Sequence, residues 1–438
     1  MYDVGILGGG WAGLLAARML KEQNPEAKVA IFEKEDLNNM GGLLRSVKKK
    51  GFTFDTGGPH ILFSKDQQIL ENITSLLGDN IRKVERKAFV FYEGRYIPYP
   101  FENGMFLLEP QTRSEIGNGI IERMVDMART RDWVPADFEE WIYGFFGQSM
   151  ANRYMMPYNR KIWKREPSSM DADWVFSPGR LPFPNLKDII DSVAGIPSTG
   201  YKEQAYFFYP AEGGIQSLYD SLLHIVELLG VDIYPSTEVT NIISDRDQWG
   251  INNAHNCRLL VNTLPPQVIA PMIFSHEDDR NLTEKFDYNS VVVVGIAIDK
   301  EAPYQHAVYV PDPHVVFHRY TWMNNLTTDT PAGKSNLIAE VTVPKWEKIN
   351  KSTVREKVIE GLFKLHILES RDEILFSEAW VNEFGYPIYL KGHGKLRDKF
   401  QLQLKNRGIT SVGRWGSWHY WNTDKVYRAV EKEISSII

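Results

Sequence analysis

Cysteine is almost missing from this chain: Cys257 stands alone among 438 residues. That excludes an internal disulfide and any multi-cysteine metal site. Its setting, CRLLV, is apolar, so a buried and inert thiol is expected there rather than a nucleophile. Long hydrophobic runs are missing as well. The longest strongly apolar stretch, SVVVVGIAI at 290–298, is much too short to span a bilayer, so no membrane insertion is expected. There is no long basic run and the net charge is −6, which argues against nucleic acid or an anionic membrane as partner. The opening MYDVGILGGG has no basic region followed by an apolar leader, so a cytoplasmic, reducing location is the default expectation.

What is present is an ordinary globular composition, 43% hydrophobic and 24% charged, in a chain too long for one core. The start reads as a βαβ unit. DVGIL at 3–7 is a short apolar run, AGLLAARMLKE at 12–22 has helical spacing, and KVAIF at 28–32 is a second strand. Residues 104–170 are rich in Glu, Arg, Met and aromatics at helical spacing, which predicts a helical insertion. PGRLPFP at 178–184 reads as an extended way out of it. Strand-like runs then recur, and those across much of 265–345 predict a second sheet; a closing helix is expected from about residue 423.

The glycine turn carries the first chemistry. GGGWAG sets Gly8, Gly10 and Gly13 in G-x-G-x-x-G register between the first strand and the first helix. The first glycine permits the tight turn, the second lets backbone approach a pyrophosphate, and the third lets helix and strand pack closely. Glu33, at the end of KVAIFEK, has the spacing of the acid that takes a ribose hydroxyl. A second glycine pair with a basic residue follows in Gly41-Gly42-Leu43-Leu44-Arg45. That pair is not needed for NAD and resembles the extended fingerprint of FAD enzymes of the glutathione-reductase and amine-oxidase type.

Beyond that fingerprint the sequence resembles the UDP-galactopyranose mutases, in particular their eukaryotic-type branch. Seven blocks carry the likeness in order: FDTGGPHILFS (54–64), IPYPFENG (97–104), the stretch 137–174 with its PYN-x-K-x-W core, SPGR (177–180), FHRYTWMNN (317–325), FGYP (384–387) and GRWGSWHYWNTD (413–424). The resemblance implies an α/β fold: a discontinuous Rossmann-like FAD domain from 1–85, 200–265 and 385–438, a helical insertion over 103–199, and a largely antiparallel sheet domain from 86–102 and 266–384. It implies a mutase that interconverts pyranose and furanose forms of a nucleoside-diphosphate sugar, most of all UDP-galactose. Reduced flavin N5 would attack the anomeric carbon as the diphosphate leaves, with NADH or NADPH as possible external reductant.

The implied catalytic set is His60, Arg180, Arg319, Tyr386 and Tyr420. The two arginines and two tyrosines match the family's diphosphate-binding positions, where guanidinium and phenol donors stabilise a leaving diphosphate. Singly, Arg180 reads as a solvated loop arginine and Arg319 as a strand residue facing water. His60 matches the loop beside the flavin ring, although Pro59 stands where the eukaryotic-type pattern has glycine, fixing φ and removing an N–H. Tyr99, Phe101, Asn159 and Trp163 match positions flanking the uridine, with ordinary aromatic packing as the competing account. Glu102 replaces the family's glutamine, and a carboxylate cannot donate when ionised, so another nucleotide is conceivable. The implied FAD contacts, beyond the two glycine motifs (Gly8, Gly10, Gly13, Glu33, Gly41, Gly42, Arg45), are Gly58, Val239, Arg414, Asn422, Thr423 and Asp424. Asn422-Thr423-Asp424 resembles a helix N-cap that would aim amides at the flavin's pyrimidine edge.

Two other functions compete. An FAD oxidoreductase of the amine-oxidase or protoporphyrinogen-oxidase kind shares the fold but calls for an apolar channel, where paired arginines and tyrosines would be out of place. A non-catalytic nucleotide-sugar binder would need no flavin.

Overall fold

The computed structural model describes residues 1–129, 133–176, 185–198, 205–245, 248–274 and 282–437. Two seven-stranded sheets organise them, giving a mixed α/β fold. In the first sheet the strand Tyr2–Leu7 lies between Val29–Phe32 and His255–Asn262, parallel to both. Asp232–Tyr234 extends one side and Ile409–Ser411 the other, also parallel. Strands covered on both faces must be apolar throughout, which is why VGIL and VAIF read as unbroken runs rather than alternations. An antiparallel hairpin, Ile242–Asp245 with Gln248–Ile251, joins the outer half of His255–Asn262. Cys257 faces inward there; it is buried, and burial pushes its thiol up to about 11.

The second sheet runs in the order Ile374–Ile388, Asp287–Ile298, Ser335–Pro344, Arg319–Trp322, Ala307–Tyr309, Ala88–Tyr92, Arg95–Pro98. Its pairings are antiparallel except that of Ala307–Tyr309 with Ala88–Tyr92. Ile374–Ile388 runs past residue 385, so FGYP is the end of a sheet strand. A separate apolar core, including Val292, Phe317, Tyr320 and Leu362, fills the face covered by the helix Lys351–Lys364. The strand Tyr206–Pro210 belongs to neither large sheet; it pairs with Ile81–Glu85.

The helical insertion comprises Pro110–Arg129, Phe138–Met150, a π-turn over Ala151–Met155, Met156–Trp163 and Leu186–Val193. Its aromatic interior joins Phe138, Trp141, Phe146 and Trp174. Its later half is fastened to the second sheet. Arg165 makes a two-pronged ion pair to Asp287 at 2.7 Å, with both side chains almost fully buried. Nearby, Lys161 Nζ donates to the carbonyls of Val310 and Asp312 at 2.8 and 2.7 Å.

Candidate active site

The glycine turn sits where the first parallel strand hands over to its helix. A Cβ on Gly13 would lie 2.0 Å from the Gly8 carbonyl oxygen, so only glycine allows this helix to sit so close to its strand. Gly8 itself has φ +96°, a conformation that side chains rarely adopt. Gly10 has nothing within 4 Å of its missing Cβ: that space lies open in front of the helix Trp11–Gln23, whose first turn no side chain caps. The helix amides and the positive end of its dipole thus face open space, a setting that suits a phosphate. The Glu33 carboxylate accepts from the Gly9 amide at 2.7 Å and from the Glu35 amide at 3.0 Å. The loop holding the buried Val239 is tied to that acid, because Thr237 N donates to the Glu33 carbonyl. Gly41 and Gly42 both take positive φ, and Gly42 approaches the Gly10 Cα, while Arg45 hydrogen-bonds Asn39. These backbone amides, the open space and an acid at Glu33 fit an FAD.

A cavity runs on from this unit between the second sheet and the insertion. Leu43, Gly58, His60, Asn422 and Thr423 line its inner end. His60 Nδ1 meets the Gly58 carbonyl at 2.8 Å. A carbonyl only accepts, so the proton belongs on Nδ1 and Nε2 keeps its lone pair. Burial, helped by the Arg414 and Arg319 cations, pushes His60 down to about 4, so the ring is neutral at physiological pH. Gly58 has φ +87°, and a Cβ there would press on the Glu340 carboxylate at 3.0 Å. The closing helix Thr423–Ile434 begins where the N-cap was expected, but the Asn422 side chain makes no capping bond. Asp424 instead accepts from Ser64 Oγ at 2.9 Å, leaving its other oxygen buried without a partner, and the Thr423 carbonyl accepts from Trp11 Nε1.

The middle of the cavity is where the charged groups meet. Arg319 is held by Glu340, Nε to Oε1 at 2.7 Å and Nη2 to Oε2 at 2.8 Å. Its side chain keeps 23% exposure while that of Glu340 has 1%, so the guanidinium is the member that still reaches the cavity. The reading of Arg319 as a strand residue facing water is therefore wrong: register places it opposite Glu340 on the neighbouring strand. Tyr386 donates to the same carboxylate at 3.1 Å, and its ring lies 4.9 Å from that of Tyr420. Burial, with Tyr420 and Glu340 adding to it, holds the Tyr386 phenol far above its ordinary value, so it stays a donor. Arg414 stands 4.2 Å over the Tyr420 ring and donates to the Gly385 carbonyl at 2.7 Å. Arg180, with the rest of SPGR, lies outside the described residues.

The outer end is aromatic. Tyr99 stacks on Tyr309 at 4.5 Å and Phe101 on Tyr154 at 4.3 Å. Asn159 is braced inside its own helix: its amide donates to the Met155 carbonyl and its oxygen accepts from Trp163 Nε1. Trp163 packs edgewise against Tyr386 and Tyr420, joining the two ends. All four residues line the cavity, although Phe101 and Trp163 are largely consumed by packing. Glu340, Arg86, Tyr158 and His318 also line it and were missed. Glu340 left one trace in the sequence, a lone acid inside the apolar run NLIAEVTV.

Comparison with known proteins fits this architecture. The family model of flavin containing amine oxidoreductases matches residues 11–431. The chain belongs to that family. A coproporphyrinogen III oxidase of Staphylococcus aureus is 22% identical over 334 residues, 68% of each chain. A 4,4'-diapophytoene desaturase from the same species is 39% identical over only 77 residues, 18% of this chain and 14% of its own. Among solved structures, a reduced UDP-galactopyranose mutase superposes with TM-score 0.90 at 27% identity, covering 100% of this chain and 94% of its own. A cyclohexylamine oxidase from Brevibacterium oxydans superposes with TM-score 0.66 at 14% identity, covering 100% and 98%, a likeness of fold alone. This family member is a flavin-dependent protein of two sheets and an inserted helical unit. Among the described residues, no helix is long and apolar enough to cross a membrane.

Proposed function

We propose that this protein is a flavin-dependent mutase interconverting the pyranose and furanose forms of a nucleoside-diphosphate sugar, UDP-galactose foremost. The observation that carries the reading is the meeting of Arg319, Arg414, Tyr386 and Tyr420 around one stretch of cavity, next to the Gly58–His60 loop. Two guanidinium groups and two phenols are donors suited to a diphosphate whose charge grows as it leaves a sugar. The whole-chain likeness to a reduced UDP-galactopyranose mutase supports the same reading.

Bound at the inner end, reduced flavin would supply the nucleophile for the anomeric carbon. Arg319 and Tyr386, set by Glu340, would orient the diphosphate, with Tyr420 closing from the helix side. His60 would present a neutral Nε2 acceptor and carry no proton to give. Tyr99, Phe101, Asn159 and Trp163 would bound the nucleoside. Arg180 is retained as a diphosphate contact on the strength of the SPGR match alone.

Incubation with UDP-galactose, with and without dithionite or NAD(P)H, tests the proposal. Ring interconversion that requires reduction is the expected result. Release of peroxide from an amine or porphyrinogen, with no effect on the sugar nucleotide, would assign the protein to its family's oxidases instead. A colourless protein that binds UDP-galactose unchanged would make it a binding protein.

A further inference from the structure

Glu102 is a buried carboxyl group on the cavity wall. It lies in the short helix Phe101–Gly104, is 2% exposed, and lines the cavity. Several charged or polar groups there are engaged: Arg319 by Glu340, Arg414 by the Gly385 carbonyl, His60 by the Gly58 carbonyl, while the buried His318 ring, also on the lining, is held neutral by burial. Apart from its own backbone amide, no donor and no cation among the described residues engages the Glu102 carboxyl. Phe101, stacked on Tyr154, precedes it in the chain, and Tyr154 is near enough to feel its charge.

A carboxylate buried with no counter-charge is costly, and the cheap escape is to keep the proton. Burial pushes Glu102 up to about 7. The proton changes what the group can recognise. A carboxylate offers acceptors only, whereas a carboxylic acid offers one donor beside one acceptor.

We propose that Glu102 is a specificity-determining residue that reads the ligand's ring as a neutral carboxylic acid. Its O–H donates to a ring carbonyl while its own carbonyl oxygen accepts from the adjacent ring N–H. An imide edge, such as that of uracil, presents this pair. Loss of the proton removes one hydrogen bond and sets a carboxylate oxygen against the ring carbonyl. The inference rests on the nucleotide reading above and names the group that recognises its ring.

Other titrating groups must be kept apart from this one. Tyr154, from the π-turn, is near enough to sense the Glu102 charge, but burial holds it neutral. Tyr99 and Arg86 stand on the same wall, Arg86 over the Tyr99 ring, and a guanidinium stays charged throughout. Burial brings Lys161 down to about 7 as well, but its ammonium group is spent on the Val310 and Asp312 carbonyls.

The test uses flavin-loaded protein and UDP-galactose, whose diphosphate does not titrate near neutrality. Affinity is measured by calorimetry from about pH 6 to about pH 8.5 for the wild type and for Glu102→Gln, whose amide keeps a donor beside an acceptor. With the binding form protonated and a free value near 7, wild-type affinity should fall roughly thirtyfold across that window, and Glu102→Gln should stay flat within about threefold. Independently of any variant, the buffer dependence of the wild-type binding enthalpy should show uptake approaching one proton per ligand above about pH 8. Tight binding that is flat or strengthens with pH, absence of proton uptake, or a variant with the wild-type slope would overturn the proposal while leaving the nucleotide reading intact. Failure of both proteins to bind at any pH removes both. Proton-linked binding without ring interconversion would support the role of Glu102 and remove the mutase.

Discussion

The two ends of the cavity are built from different materials. The flavin end is backbone: glycines 8, 10, 13, 41, 42 and 58, the amides of an uncapped helix, and one acid that answers an amide. The ligand end is side chain: Arg319 on Glu340, Tyr386 on the same carboxylate, aromatic pairs stacked across elements far apart in sequence. A backbone site depends on where a residue with no Cβ is allowed. A side-chain site depends on register and on partners carried by other strands and helices. The first should break by steric intrusion, and the second by leaving a charge alone.

The largest effect is expected at Gly13. A methyl group there would sit 2.0 Å from the Gly8 carbonyl oxygen, with the rigid backbone unable to yield. Gly13→Ala should therefore push helix from strand, cost about 3 kcal/mol or more in urea unfolding, and yield protein without bound flavin. Gly10→Ala supplies the contrast. Nothing lies within 4 Å of that position, so folding should be unchanged while the flavin absorbance of purified protein drops. Equal damage at both positions would show that the two glycines do not divide their work between packing and phosphate access.

This division also explains what the sequence could tell. The turn motif was legible because its spacing is a local backbone requirement, and the acid at Glu33 follows from the geometry of one βαβ unit. The long apolar strands were legible because burial on both faces erases alternation. Glu340 was not, since nothing in NLIAEVTV says that the neighbouring strand will place an arginine 21 residues earlier opposite it. Arg86 looks like one more surface cation between VE and KAF until the sheet closes around the cavity. The Asn422 cap failed for a related reason: the start of the helix was right, but Asp424, the candidate cap's third member, is drawn to Ser64 through tertiary contact. In GRWGSWHYWNTD the two glycines do permit close approach, Gly413 against Ala12 and Gly416 against the Asn262 carbonyl. Trp418 is fully buried against Phe286, whereas Tyr420 reaches the cavity.

At the ligand end, removing one partner should be worse than removing both. Arg319→Ala leaves Glu340, with 1% exposure, as an unpaired buried carboxylate. A loss of about 3–4 kcal/mol in unfolding free energy is expected, together with about 2–4 kcal/mol of UDP affinity. Adding Glu340→Gln to that variant removes the stranded charge, so most of the stability should return while the affinity does not. If stability and affinity recover together, the pair is a structural brace and the guanidinium contributes nothing of its own to binding. Unchanged UDP affinity in Arg319→Ala alone would remove Arg319 from the diphosphate site.

The smallest effect concerns how the insertion is held against the sheet. Lys161 donates to two carbonyls, and burial outweighs the nearby Asp312 charge and depresses it to about 7 from the ordinary lysine value. Because the folded value lies below the unfolded one, the unfolded chain binds more protons between about pH 7 and about pH 10. Stability must then rise with pH across that window, the reverse of what a lysine held by an acid would give. Lys161→Met keeps the aliphatic stem and removes the titration. The difference in unfolding free energy between wild type and variant should therefore tilt toward the wild type by roughly 1–3 kcal/mol from pH 7 to pH 10. Parallel curves would mean that the ammonium keeps its charge on those two carbonyls, with the Asp312 carboxylate offsetting the cost of burial.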